Sequence, residues 1–400
     1  MNPFLHRWLI AAAAVGIHVS IGSVYAYSVW KAPLQKSLGW TNSQVSLAFS
    51  LAILFLGLSA AFGGKRVERL GPRRSCLIAT VFFVLGLVLS AVSVNASSRW
   101  GFYAGYGLIA GIGLGIGYVS PVATLVKWFP DRRGFATGLA TMGFGFGALL
   151  AGPIIAQSIP QRGIPNTFFM LAAGYALLMG LSSLVLQNPP ADFADRFPKK
   201  KTEGNSLPVG TVMRDPRFYL LWLVFFLNIC CGIAIISTAS PLAIEMTGMS
   251  AASAAAMVGL MGLFNGLGRI GWSSVSDGIG RHVTWLLFFL LQAAAFLLLP
   301  RVTHPLLFQA LVFLILSCYG GGFATVPAYV GDLFGNAHLS VIYGRLLTAW
   351  AAAGIVGPLL VARIRELSGG YGITLRVFAL VFALGLLPVF GLRKQKKLPA

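Results

Sequence analysis

Apolar runs of about 20 residues recur along the whole chain, separated by short polar connections, and this spacing limits the fold more than any other feature. A run of that length crosses the roughly 30 Å hydrocarbon layer of a bilayer as a helix, at about 1.5 Å of rise per residue. Twelve such spans are predicted, at residues 8–30, 44–63, 75–96, 101–126, 134–157, 166–187, 217–241, 251–274, 283–300, 305–330, 342–362 and 373–392. Strands of a barrel do not fit, because the runs are too long and lack alternation of apolar and polar positions. Hydrophobic residues make up 57% of the 400 and charged residues only 10%, so the chain reads as an all-α polytopic membrane protein.

The net charge of +20 could suggest a nucleic-acid binder, but the placement of the cations argues against one. Of the 30 Lys and Arg, 21 fall at the connections of one face and 8 at those of the other, with Arg269 left over. That bias predicts both termini in the cytoplasm of a multi-pass protein of the plasma membrane. The clusters Lys65, Arg66, Arg69, Arg73, Arg74 and Lys199, Lys200, Lys201 would face anionic headgroups of the bilayer, not RNA. The segment Met1 to Trp30 lacks a small-residue cleavage site, so it reads as an uncleaved first helix. Cys76, Cys230, Cys231 and Cys318 form neither a disulfide framework nor a zinc spacing, and packing is their expected role. The glycines 111, 113, 115 and 117 follow no strand and sit at membrane depth, so they are no nucleotide fingerprint; no cofactor or metal is expected.

One long polar interruption, from Gln187 to Arg217, divides the spans six and six. This predicts an amino-terminal bundle at 1–187, a cytoplasmic linker at 188–216 and a carboxy-terminal bundle at 217–400, with a site between the bundles near the midplane. A loop that occurs twice supports the division. Gly64, Glu68, Gly71 and Arg73 follow the second span, and Ser273, Asp277, Gly280 and Arg281 follow the eighth, with the acids 209 residues apart, about half the chain. In each copy the glycine permits a tight turn, and the acid can cap a helix amino terminus or pair with a base on a neighbouring helix. Gly143, Gly145, Gly147, Gly152 and Pro153 in the fifth span match Gly354, Gly357 and Pro358 in the eleventh, a pattern for close helix packing.

Arg269 lies in the stretch Ala251 to Ser274, where every other residue is uncharged. A guanidinium keeps its proton, so at that depth it requires an anion or an aqueous cavity; pairing with backbone carbonyls or a loop acid is the structural alternative. Asn265, four residues earlier, projects from the same face and could bond the same anion or orient the guanidinium. Counting inward from the helix ends places Tyr25, Tyr118, Tyr319, Phe323 and Trp350 near the centre. All ten Asp and Glu lie in loops or at span ends, which leaves His18 as the proton-coupling candidate at depth, or else a packed histidine bonding a helix carbonyl. The spans hold no paired acid and base and no Ser and His arrangement at one depth, so an intramembrane enzyme is not expected.

The repeated loop resembles that of the major facilitator superfamily, departing from it mildly at Glu68, Ser273 and Gly278. The resemblance implies two pseudo-symmetric bundles of six helices, and loops whose Gly64, Glu68, Arg69, Gly71, Arg73, Asp277, Gly280 and Arg281 latch the cytoplasmic side. Gly22 to Leu34, Gly117 to Pro121, Lys127 to Gly134, Gly320 to Pro327 and Asp332 to Gly335 look like the oxalate/formate antiporter family and its relatives, the monocarboxylate transporters. A central carboxylate carried by alternating access is then implied, with Arg269 as its counter-ion and aromatics of spans one, ten and eleven around it. Animal-type relatives have an aspartate where Asn265 stands, and the oxalate exchangers have a lysine at the position that aligns with Trp350. One buried cation suits one negative charge. The expectation is therefore a monomeric carrier of a small monocarboxylate such as lactate, pyruvate or formate, moving with a proton; oxalate/formate exchange is the alternative.

Overall fold

The computed structural model describes residues 3–190, 193 and 206–392. Met1, Lys199, Lys200, Lys201, Glu203, Gly204 and Asn205 lie outside the described residues. All regular structure among the described residues is helical, as lipid demands of a backbone that has no water to bond.

Nine helices among the described residues are long and apolar enough to cross a membrane, and two of these are double. Asn42–Asn95 would be about 80 Å long if straight, far more than one bilayer. It breaks at Gly71, whose φ of 75° lies where only glycine is unstrained. Arg133–Val185 breaks likewise at Gly163, with φ of 77°. Once these are divided, and Ala251–Ile279 with its arginine is added, there are twelve crossings in two sets of six.

In chain order, span 1 is Pro3–Gly22 continued by a 3-10 turn at Ser23–Tyr27; spans 2 and 3 are 42–70 and 72–95; span 4 is Arg99–Trp128; spans 5 and 6 are 133–162 and 164–185. Span 7 is Pro216–Thr247, span 8 Ala251–Ile279, span 9 Arg281–Leu298, span 10 Pro305–Phe334, span 11 Leu339–Ser368 and span 12 Gly372–Gly391. Span 2 runs past its expected end at residue 63, because Lys65 to Leu70 continue the helix as its charged end leaves the apolar layer.

Local signals set the helix ends. Thr41 and Gln44 form a reciprocal capping box at the start of span 2, with bonds of 3.3 and 3.0 Å. Asp215 accepts from the Arg217 N–H at 2.9 Å, before Pro216 opens span 7. Partial burial pushes the Asp215 carboxyl up, but the side-chain and backbone bonds from Arg217 outweigh it and hold the group below the usual carboxylate range.

Two seams join the bundles. In the first, span 5 lies on span 8 so closely that a Cβ on Gly145 would stand 2.6 Å from Gly266 Cα. In the second, a Cβ on Gly57 of span 2 would stand 2.8 Å from the Leu347 carbonyl of span 11. Large apolar side chains face outward, among them Leu177, Leu181, Leu380 and Leu387, which are 57–70% exposed. Such a surface suits acyl chains and would drive aggregation in water. All four cysteines are free and buried.

Candidate functional site

Arg269 is 0% exposed and stands at the 5/8 seam, with its guanidinium directed to groups of both bundles. Its Nε donates to Asn265 Oδ1 at 3.3 Å, on its own helix, and its Nη1 donates to the Tyr118 hydroxyl of span 4 at 3.3 Å. The cation lies over two rings, Phe323 at 4.9 Å and Phe144 at 5.5 Å from the guanidinium carbon. Its Nη2 has no hydrogen-bond partner, and no acid pairs with it among the described residues. Each desolvated cation–π contact contributes about 2 kcal/mol or more, but the rings and neutral dipoles supply neither an opposite charge nor an acceptor for Nη2.

The aromatic residues meet around this group. Tyr25 sits on the 3-10 turn that ends span 1, and its hydroxyl lies 3.0 Å from that of Tyr319 in span 10, so the two bundles share a hydrogen bond. Tyr319 and Phe323, one helical turn apart, stack edge to face at 5.2 Å. Trp350 is fully buried just after the interruption of span 11 at Leu347, with its ring 4.6 Å from Phe323 and 5.4 Å from Tyr118. All seven residues expected around the anion, Arg269, Asn265, Tyr118, Tyr25, Tyr319, Phe323 and Trp350, therefore form one connected cluster.

His18 borders the same cluster. Its Nδ1 lies 3.0 Å from the Ala14 carbonyl and its ring 5.2 Å from Tyr118. The helix-carbonyl bond foreseen as the packed alternative is present, while Nε2 has no partner.

Phe144 and Tyr343 were not singled out by sequence reasoning. Phe144 touches Tyr25, Tyr118 and Trp350 at ring distances of 4.9–5.4 Å. Its signal was a large ring kept among Gly143, Gly145 and Gly147, whose missing side chains let spans 1 and 8 close on it. The Tyr343 hydroxyl donates to the Phe323 carbonyl at 3.5 Å.

The repeated loops act across the bundles in a paired way. Asp277 accepts from the N–H groups of Gly134 and Phe135 at 3.0 and 2.9 Å, so an acid of the second bundle caps span 5 of the first. Arg281 holds that acid at 2.5 Å and reaches Asp332 at 3.2 Å, and Asp332 in turn lies 3.7 Å from Arg133. Glu68 does the same in reverse, accepting from the Val341 N–H of span 11 at 3.4 Å with His338 3.6 Å away. Gly64 gives span 2 room, since a Cβ there would lie 2.7 Å from Val341 Cα. Gly71 and Gly280 make the turns with φ of 75° and 90°. Arg69 instead lines a cavity of about 360 Å³ with Lys65 and His338, and Arg73 is exposed; neither joins the ion pairs. Farther from the loops, a Cβ on Gly152 of span 5 or Gly259 of span 8 would meet nothing within 4 Å.

Comparison with known proteins fits this arrangement. The oxalate:formate antiporter of Oxalobacter formigenes is 28% identical over 362 residues, covering 88% of this chain and 83% of its own. Apicoplast pyruvate carrier 1 of Toxoplasma gondii is 26% identical over 86% of this chain and 74% of its own. The human organic anion transporter MFSD10 shares the fold with a TM-score of 0.75, at 18% identity and covering 97% of this chain and 99% of that one. Residues 13–358 match the Major Facilitator Superfamily. Twelve crossings in two bundles, bridged by reciprocal loop acids around a buried centre, fit a membrane transporter rather than an enzyme, and the chain belongs to the Major Facilitator Superfamily.

Proposed function

We propose that the protein is a secondary carrier of small monocarboxylates, of the lactate, pyruvate or formate kind, coupled to protons and working by alternating access. The observation that carries this reading is Arg269, fully buried between the bundles with no acid paired to it among the described residues and one N–H group unpartnered. A planar guanidinium grips a carboxylate through two parallel bonds, and no other side chain does so as well. Asn265 orients it from below, and the Tyr118 hydroxyl is placed to share the anion. Tyr25, Tyr319, Phe323 and Trp350 enclose the organic part. The relatives named for oxalate, formate and pyruvate carry compounds of this chemistry.

Charge balance favours a single carboxylate. With Trp350 at the second position, a dianion would keep one charge unmatched, at about 2.5–3.5 kcal/mol on insertion scales. The bundles at 1–187 and 217–400, joined by the linker 188–216, would rock about the seams. Asp277 with Arg281 and Gly280, and Glu68 with Gly64 and Gly71, would hold the cytoplasmic side shut. The proton would travel on His18 or on the substrate itself. The molecule would act as a monomer in the plasma membrane, with both termini cytoplasmic.

Anion exchange is the second reading, and the likeness to an oxalate:formate antiporter over most of both chains favours it. Counterflow in proteoliposomes separates the two. Uphill lactate uptake driven by an inward proton gradient supports symport, strict dependence on an internal anion supports exchange, and no carboxylate flux in either arm refutes both.

A further inference from the structure

The two halves of the cytoplasmic latch differ in chemistry. At the 5/8 seam the charged groups are Asp277, Arg281, Asp332 and Arg133. Guanidinium and carboxylate groups ordinarily keep their charges across the physiological pH range. At the seam between spans 2 and 11, Glu68 of the first bundle instead faces His338 of the second, with Oε2 and Nδ1 3.6 Å apart. Histidine is the side chain that ordinarily gains its charge between about pH 5 and 8.

The fold presents this ring from a fixed base. The His338 carbonyl accepts from the N–H groups of Val341 and Ile342 at 3.1 and 3.0 Å, which ties the residue to the first turn of span 11. The linker clasps the same loop, since the Leu207 N–H donates to the Phe334 carbonyl at 2.9 Å and the Ala337 N–H to Ser206 Oγ at 3.2 Å. Glu68 is held in turn by the Val341 N–H at 3.4 Å. A separation of 3.6 Å exceeds a hydrogen bond, so a neutral imidazole adds little there. An imidazolium adds an ion pair that exists only while the seam is shut. With 42% of its side chain exposed, His338 exchanges protons with the solvent on that side. The other residues around the cavity it lines, of about 360 Å³, are Lys65 and Arg69 of span 2, which oppose a proton, and Pro208, Val209 and Val341, which carry no charge. Lys65 and Arg69 are exposed and screened by water, so the carboxylate at 3.6 Å decides the sign.

We propose that His338 and Glu68 form a pH-sensitive clasp, through which acid on the loop side holds that side of the carrier shut. This rests on the latch reading above and adds its regulation. Above the ordinary histidine range the clasp is the backbone bond to Glu68 and little more. As pH falls through that range the ion pair forms, and the closed state gains. In a carrier that brings an acid inward, the product of transport then slows further opening toward the cytoplasm. Uptake limits itself without a separate effector.

The test reads opening as the rate at which a membrane-impermeant thiol reagent, added on the loop side of the full-length protein in proteoliposomes, labels Ser273→Cys with the four native cysteines replaced by alanine. Ser273 is buried against Gly138 at the 5/8 seam, so it reports movement of the bundles and not the surroundings of the His338 ring. Comparing His338→Gln with the parent at each pH cancels the pH dependence of the thiol itself. At pH 8 the two should label at the same rate, and at pH 5.5 His338→Gln should label about threefold faster, the size expected of a part-exposed ion pair. Glu68→Gln should erase that difference, because each variant removes the same pair. Equal rates at pH 5.5, a slower His338→Gln, or a difference that persists in Glu68→Gln overturns the clasp. Asp277→Asn is the control. Labelling of that variant at the parent rate refutes the latch reading and the clasp with it, whereas faster labelling together with no effect of His338→Gln refutes the clasp alone.

Discussion

Asp277→Asn tests the latch at its strongest point. The aspartate takes two backbone hydrogen bonds at the amino terminus of span 5 and holds Arg281 at 2.5 Å. Asparagine is nearly the same size but has one acceptor oxygen and no charge, so it loses one charge-assisted bond together with the attraction to the helix end. These are worth about 2 kcal/mol together, which raises the open fraction of the seam by roughly 30-fold. The reporter is Ser273→Cys in a background where Cys76, Cys230, Cys231 and Cys318 are alanine. Ser273 is fully buried in the seam and pressed against Gly138 of span 5. When closing outpaces the thiol reaction, the labelling rate follows the open fraction. A roughly 30-fold faster rate is expected with a reagent added on the loop side. Glu68→Gln breaks longer contacts, of 3.4 and 3.6 Å, and should change the rate only about two- to threefold. Labelling of Asp277→Asn at the parent rate, or a larger effect from Glu68→Gln, would refute the latch argument.

Trp350→Lys puts a second cation in place of a ring whose centre lies 4.6–5.4 Å from those of Phe323, Phe144 and Tyr118; oxalate should gain at least tenfold on lactate in competition assays, and unchanged selectivity would sink the one-cation argument. Gly22→Ala sets a methyl 2.3 Å from the Phe144 carbonyl, where backbone must move, so about 1–3 kcal/mol of overpacking should lower the thermal midpoint of the purified protein. A wild-type midpoint would mean that spans 1 and 5 are not packed as described.

The architecture was legible because lipid enforces it. Twenty-residue apolar runs leave one secondary structure available, and the loop repeated at half the chain length gives the pairing of the bundles. Arg269 stood out for the same reason, since a charge in an apolar run has no bland background to hide in. What stayed out of reach depends on contacts between distant segments. The Tyr25–Tyr319 bond joins residues 294 apart, and only the fold brings them together. Phe144 looked like part of a packing helix because its place in the cluster comes from what the neighbouring glycines let approach it. The loop acids were readable as caps or ion-pair partners, but not that each caps the opposite bundle. Arg69 and Arg73 match the loop pattern yet make no ion pair among the described residues; Arg69 faces an open cavity that it shares with His338, and Arg73 is exposed.

Isothermal titration of lactate into the purified wild type, Arg269→Lys and Arg269→Gln measures the central claim. Lysine keeps the charge but loses the two-pronged donor, so its dissociation constant should rise tenfold or more, about 1.4 kcal/mol, and glutamine should abolish binding. Lactate bound by both variants as tightly as by the wild type would remove Arg269 from the site.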